Sequence, residues 1–294
     1  MNPLQRARVS LDGLSIGDAF GQCFFFSSGV NEAIAERQMP TTPWHYTDDT
    51  IMAFSIYDSL ENHGCIDPDK LALMFAKRYT NDPARGYGGG MHDTLRAIQK
   101  GEHWQKVTTQ AFEGMGSFGN GAAMRVAPLG AYFADDLERV ISEAILSARV
   151  THAHTEGIAG AVAVAVATAL AQQGQVKGKE FLEQVIEFTP DSEVRSKMAR
   201  ATKYTEHTPI ETAIHQLGVG WGVSAQDTVP FCIWCASKHL ENFEEAMWYT
   251  VSGLGDRDTT CAIVGGIVAA RVGMEGIPSS WRAAREDLQI WEST

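Results

Sequence analysis

Cysteine is scarce in this chain: five residues in 294, at Cys23, Cys65, Cys232, Cys235 and Cys261. A sparse, odd-numbered set gives no disulfide framework and points to a reducing compartment, the cytoplasm. Cys232 and Cys235 have redox-motif spacing, but no βαβ pattern surrounds them, so they read as two core thiols on a helix. Bases are also in deficit, 24 against 36 acids, for a formal charge of −12. That excludes nonspecific nucleic-acid binding, which needs a cationic footprint on the phosphates. An anionic small ligand stays open, provided cations or backbone N–H groups gather locally. Long apolar runs are missing too. The longest stretch without charged or long polar side chains is 157–171, rich in alanine and glycine. It is too short to cross a bilayer comfortably and reads as a helix packed inside a soluble protein, so no membrane is expected. No apolar segment follows Met1-Asn2-Pro3-Leu4-Gln5-Arg6, so no signal peptide is expected. There is no H-E-x-x-H pair for a zinc site, and alternating β-branched runs that would build a sheet are nearly absent.

What is present is helical periodicity. Residues 51–60 put Ile51, Met52, Ser55, Ile56 and Leu60 near one face, with Asp58 elsewhere. Similar patterns cover 71–79, 91–99, 137–150, 158–172, 210–217, 229–238, 243–251 and 259–272. Apolar content is 44%, and a chain of this length buries roughly 75% of its unfolded surface, so one core is feasible. The reading is a single, compact all-α domain over residues 1–294, with no fixed-period repeat.

The strongest chemical signal is a pair of acidic segments far apart in sequence, Tyr46-Thr47-Asp48-Asp49-Thr50 and Gly255-Asp256-Arg257-Asp258-Thr259. Each stands immediately before an apolar helical run. Taken singly, each reads as an ordinary helix cap. Capping needs one oxygen, however, and each segment carries two carboxylates plus threonine hydroxyls. If the two helix starts converge, four carboxylates share one pocket, and they cannot all ionise unless cations sit among them. Two Mg²⁺ ions carry the matching charge, and oxygen ligands without His or Cys select Mg²⁺, Mn²⁺ or Ca²⁺ over zinc.

With these residues on the page, the chain resembles the ADP-ribosylglycohydrolase family along nearly its whole length. Gly17-Asp18-Ala19-Phe20-Gly21 looks like the family's G-D-x-x-G helix, and Thr47-Asp48-Asp49-Thr50 matches its T-D-D-T motif. Arg85-Gly86-Tyr87-Gly88-Gly89-Gly90 resembles the glycine loop of the branch that acts on ADP-ribosylserine and poly(ADP-ribose). Ser117-Phe118-Gly119-Asn120-Gly121-Ala122-Ala123-Met124-Arg125, Thr151-His152 and Gly255-Asp256-Arg257-Asp258-Thr259 match three further segments. The order and number of these motifs are specific.

The resemblance implies an orthogonal helical bundle with two Mg²⁺ ions (Mn²⁺ as a substitute) at the base of an ADP-ribose cleft. It implies Thr47, Asp48, Asp49, Asp256, Asp258 and Thr259 as metal ligands, with Asp256, Asp258 and Asp49 catalytic. It implies hydrolysis of the glycosidic bond of ADP-ribose conjugates, protein-linked or small and O-linked by the type of glycine loop. Gly86, Gly88, Ser117, Gly119, Asn120 and Gly121 would hold the diphosphate by backbone N–H groups, since glycine allows close approach. Phe118 would stack on a ring or else pack in the core; His152 would sit near the diphosphate or else be a satisfied core histidine. Arg125 is expected in a structural salt bridge, and Asp18 is expected to brace the metal-loop backbone.

One residue departs from the pattern. Where relatives carry a glutamate, four residues after Gly21, this chain has Phe25. Phenylalanine can neither ligate metal nor move a proton. Phe25 is therefore expected either to wall the cleft beside the distal ribose or to pack in the core, with Glu32 and Glu36 the nearest replacement carboxylates. Hydrolysis of another nucleoside conjugate, or ADP-ribose binding without turnover, are the alternatives. The oligomeric state is not legible.

Overall fold

The computed structural model describes residues 1–25 and 29–288. Among these, every regular element is a helix, and the pairing of extended backbone is limited to two isolated bridges, Trp44 with Arg285 and Gly119 with Ser224. The first helices are α1 (Pro3–Gln22), α2 (Val30–Ala35), α3 (Asp48–His63), α4 (Pro68–Asn81), α5 (Gly89–Gln99) and α6 (Trp104–Gln110). The central group is α7 (Gly121–Met124), α8 (Ala127–Tyr132), α9 (Leu137–Arg149) and α10 (Thr155–Gln173). The last are α11 (Gly178–Phe188), α12 (Glu193–Ala201), α13 (Ile210–Leu217), α14 (Ala225–His239), α15 (Phe243–Val251), α16 (Arg257–Val272) and α17 (Ser279–Ala284). The all-α expectation holds.

The helices sort by pattern. α4, α5, α9 and α11 bury one face only and lie at the periphery, as a 3.6-residue apolar stripe dictates. α10 has no polar face: from Gly157 to Ala171 almost every residue is buried. At 19 residues it has the length and hydropathy of a membrane span, yet 78% of its apolar window is covered by the rest of the protein. Burial by neighbouring helices accounts for its composition.

α1 and α16 form the seam that matters most for the site. α1 starts on a capping box, with Asn2 and Gln5 exchanging bonds and Pro3 in the first turn. It then runs against α16 at a separation that only glycine permits. A Cβ at Gly17 would stand 2.1 Å from Cys261 O, and one at Gly21 2.1 Å from Arg257 O. The G-D-x-x-G spacing thus lays α1 directly on the first turns of α16 and delivers Asp18 between the two acidic segments. Aromatic packing fixes the approach to α3. Trp44 and Trp281 close on Phe20, the Phe20 and Trp281 rings stacking at 4.6 Å. Trp44 N also donates to Ala284 O, and Glu286 N donates to Trp44 O. The chain entering Thr47 is held on both sides.

Candidate active site

The N-termini of α3 and α16 meet, and neither acidic segment caps its helix in the ordinary way. Thr47 and Asp256 occupy the N-cap positions, and neither side chain accepts from its own first turn. The capping reading of each segment taken singly is overturned because both side chains are engaged elsewhere. The Thr47 hydroxyl lies 2.9 Å from Asp18 Oδ1 and 3.1 Å from Asp49 Oδ2, with one proton for the two. Asp256 Oδ2 accepts from Asn120 Nδ2 at 2.7 Å. Asp258 Oδ1 accepts from Thr259 N at 2.8 Å.

Asp18 is the brace. Fully buried, it accepts from Thr47 N (2.9 Å), the Thr47 hydroxyl, Thr50 N (3.1 Å) and the Thr50 hydroxyl (2.5 Å). One carboxylate of α1 therefore takes over the capping of α3 and leaves Asp48 and Asp49 unencumbered. Asp49 Oδ1 is buried with no hydrogen-bond partner.

Crowding shows in the acidities. Burial first, then Asp18 and Asp256, push the Asp48 carboxyl up to about 8. Burial, followed by Asp18 and Asp258, holds Asp49 well above the ordinary carboxylate range, and burial with Asp256 does the same to Asp258. Burial also raises Asp256, against the pull of Asn120. Each shift is the mark of a negative charge that lacks a counter-charge.

Asp48, Asp49, Asp256, Asp258 and Thr259 line one cavity of about 520 Å³. Gly86, Gly88, Ser117, Phe118, Gly119, Asn120, Gly121 and His152 line the same cavity. Of the residues expected at the site, only Thr47 and Phe25 lie outside its walls. Thr47 is buried directly behind them. Phe25 is 36% exposed, and the Arg257 guanidinium stands 4.7 Å from its ring centre. It is not in the core, and it is not among the described residues that line this cavity. Arg257 pins that segment by donating to Phe24 O and Leu254 O. Glu32 and Glu36 are exposed and do not line the cavity.

The glycine loop is shaped from both sides. Asn120 N donates to Val223 O, and Ala225 N donates to Phe118 O, tying 117–121 to the chain before α14. A Cβ on Gly119 would stand 3.1 Å from His152 Nε2 and 3.3 Å from the Ser117 hydroxyl. His152 is buried, and burial together with nearby Arg125 drives its acidity down to about 3, so it is neutral. Its Nδ1 is 2.7 Å from the Thr151 hydroxyl, which accepts from Arg125 Nη2 at 2.8 Å. The pairing that uses every proton has the hydroxyl donating to Nδ1 and leaves Nε2–H aimed at the glycine loop. Arg125 makes no salt bridge among the described residues. It donates to Ser147 O and Thr151, and lies 4.3 Å from the Phe75 ring centre.

Five lining residues lie outside the motifs read from the sequence: Met91, Thr94, Phe112, Gly222 and Val223. Phe112 and Val223 have φ of +52° and +48°, a left-handed backbone that bulky side chains avoid. Such strain gathers at ligand sites, but composition carries no sign of it. Phe112 and Phe118 both line the cavity, their ring centres 6.3 Å apart.

The residues fit a hard divalent cation on two grounds of their own: the donors are all oxygens, and Asp49 Oδ1 is buried without a partner. Among the described residues no three Asp, Glu, His or Cys side chains close around a single point.

Comparison with known proteins gives concordant matches. The sequence model of the ADP-ribosylglycohydrolase family matches residues 1–293. ADP-ribosylhydrolase ARH3 of Gallus gallus is 32% identical, over 98% of this chain and 90% of its own length. The Bos taurus protein of the same name is 30% identical, over 97% and 90%. A chain of a solved structure described as an ADP-ribosylglycohydrolase-related protein complex superposes with a TM-score of 0.70 at 24% identity, covering 97% of this chain and 93% of that one.

Proposed function

This chain belongs to the ADP-ribosylglycohydrolase family and is a hydrolase of the glycosidase class, and from that premise we propose that it is a Mg²⁺-dependent enzyme releasing ADP-ribose from O-linked conjugates. The observation that carries the proposal is one cavity lined by four carboxylates, glycine backbone and two phenylalanines. ADP-ribose presents partners for each of them: a hydroxylated ribose, a diphosphate and a flat base.

Thr47, Asp48, Asp49, Asp256, Asp258 and Thr259 would hold two Mg²⁺ ions, or Mn²⁺ in their place. When bound, the ions supply Lewis acidity and a template for ribose hydroxyls and water. The protein supplies the rest. Asn120 fixes one oxygen of Asp256, and so orients the carboxylate that would take a proton from the attacking water. The neighbouring carboxylates suit the positive charge that develops on the ribose as the bond to the leaving oxygen breaks. Gly119 N and Asn120 N are engaged by the Ser117 hydroxyl and Val223 O, so the remaining N–H groups of the loop and the neutral His152 Nε2–H would bind the diphosphate, without adding a cation that would compete with the metals. Phe112 and Phe118 receive the base.

O-linkage is supported by the type of glycine loop at Gly86–Gly90. The small, odd number of cysteines, five with three of them buried, supports a cytoplasmic setting. The test is turnover of ADP-ribosylserine peptide, ADP-ribosylarginine peptide, O-acetyl-ADP-ribose and poly(ADP-ribose), with and without Mg²⁺. The expected result is release of ADP-ribose from the O-linked members only, abolished by chelator and restored by Mg²⁺ or Mn²⁺. Full turnover in excess chelator, or preference for the arginine conjugate, overturns it.

A further inference from the structure

A second cavity, about 710 Å³, opens among α11, α14, α15 and the segment between α12 and α13. It is separate from the carboxylate site. α14 begins beside the glycine loop, where Ala225 N meets Phe118 O, whereas Lys238 lines the second cavity from the other end of the helix. The rise of 1.5 Å per residue puts roughly 20 Å between those two positions.

The lining is basic in a chain whose formal charge is −12. Lys179, Lys238, His207 and His239 line the cavity, against one acid, Glu206; Lys179 also makes an exposed, weak pair with Glu183 at 3.6 Å. The Lys238 ammonium is 4.9 Å from the centre of the Trp234 ring and 5.6 Å from that of Tyr249, and it donates to Glu206 O at 3.2 Å. The rings attract the charge and the carbonyl takes one proton, so donor capacity remains for an anion. Tyr204 and Tyr249 are half-buried and line the cavity, braced by Trp234 at 5.9 Å and 5.6 Å, with the His239 ring 4.7 Å from that of Tyr249. The volume lies within the range of about 300–1,000 Å³ usual for small-molecule sites.

We propose that this cavity binds a nucleoside monophosphate, its phosphate on Lys238 and Lys179 and its base against Tyr204 and Tyr249. The pairing of clustered cations with aromatic surface points to a ligand that carries both an anion and a flat ring. Nothing in this assignment depends on the hydrolase reading of the first site.

Calorimetric titration of the full chain with AMP, adenosine and inorganic phosphate tests it. AMP is expected to bind at a site whose affinity falls at least tenfold in Lys238→Gln and severalfold in Lys179→Gln, while hydrolysis of ADP-ribosyl conjugates persists in both. Lys179 is exposed, so its replacement leaves the fold intact. The same binding is expected to survive Gly119→Val, which obstructs the first cavity. Adenosine and phosphate are each expected to bind at least tenfold more weakly than AMP. The proposal is overturned if AMP binding is absent at millimolar concentration, is unchanged in both lysine variants, or disappears in Gly119→Val. Adenosine binding as tightly as AMP overturns the role of the cations.

Discussion

The two acidic helix starts have the same ingredients and are secured by opposite means. At α3 the backbone is held by a carboxylate from another helix, Asp18, which absorbs four hydrogen bonds. At α16 the brace is neutral: the Asn120 amide takes Asp256, and Asp256 N donates to Val219 O. The first start is preorganised at the expense of one more buried negative charge; the second avoids that charge but depends on the glycine loop. The first should therefore fail through stability, and the second through ligand binding.

Asp18→Ala should give the largest effect. Two backbone N–H groups and two hydroxyls lose their acceptor together, for a loss of about 3–5 kcal/mol by chemical denaturation, with activity lost as well. A loss under about 1 kcal/mol would mean that α3 is held by other contacts. Asp258→Asn comes next. Removing one charge from a crowded set should lower turnover by at least ~100-fold, while thermal stability in chelator stays level or rises. A melting point that falls steeply would instead make Asp258 a structural residue.

Gly119→Val acts on the loop that the second start depends on. The added side chain meets His152 and Ser117 at 3.1–3.3 Å, so ADP-ribose affinity should drop tenfold or more with a small change in melting temperature. Equal affinity in the folded variant would remove the loop from the diphosphate site. Phe25→Glu is expected to have the smallest effect. The ring is partly exposed beneath Arg257, so glutamate there should stay folded within about 0.5 kcal/mol and leave the ranking of conjugates as it was. A shifted ranking would bring residue 25 into the cleft during turnover.

Helices with a sustained apolar face, such as α3, α9 and α16, were legible because burial of that face selects their sequence directly. α11 and α12 were passed over although both bury apolar residues, since short charged helices at the periphery look like loops in a linear reading. At the site, the paired carboxylates and the glycine loop could be read as chemistry, and they line the same cavity. The positions of Phe112 and Val223 could not be read, because a left-handed turn is imposed by contacts distant in sequence. For Phe25 the core reading fails, because the ring is partly exposed beneath the Arg257 side chain, an environment that linear sequence does not reveal.

The glycine seam between α1 and α16 also bears on heat and on evolution. Because backbone rests on backbone at Gly17 and Gly21, the spacing between the two acidic helix starts does not depend on side-chain rotamers, which loosen first on warming. Activity should then climb with temperature until the chain melts as a whole, without an earlier decline from a slackening site. The same contact makes these two positions poor places for variation, since even alanine would wedge the helices apart and carry Asp18 away from Thr47. Substrate preference is free to drift through the loops, while the frame that sets the chemistry stays fixed.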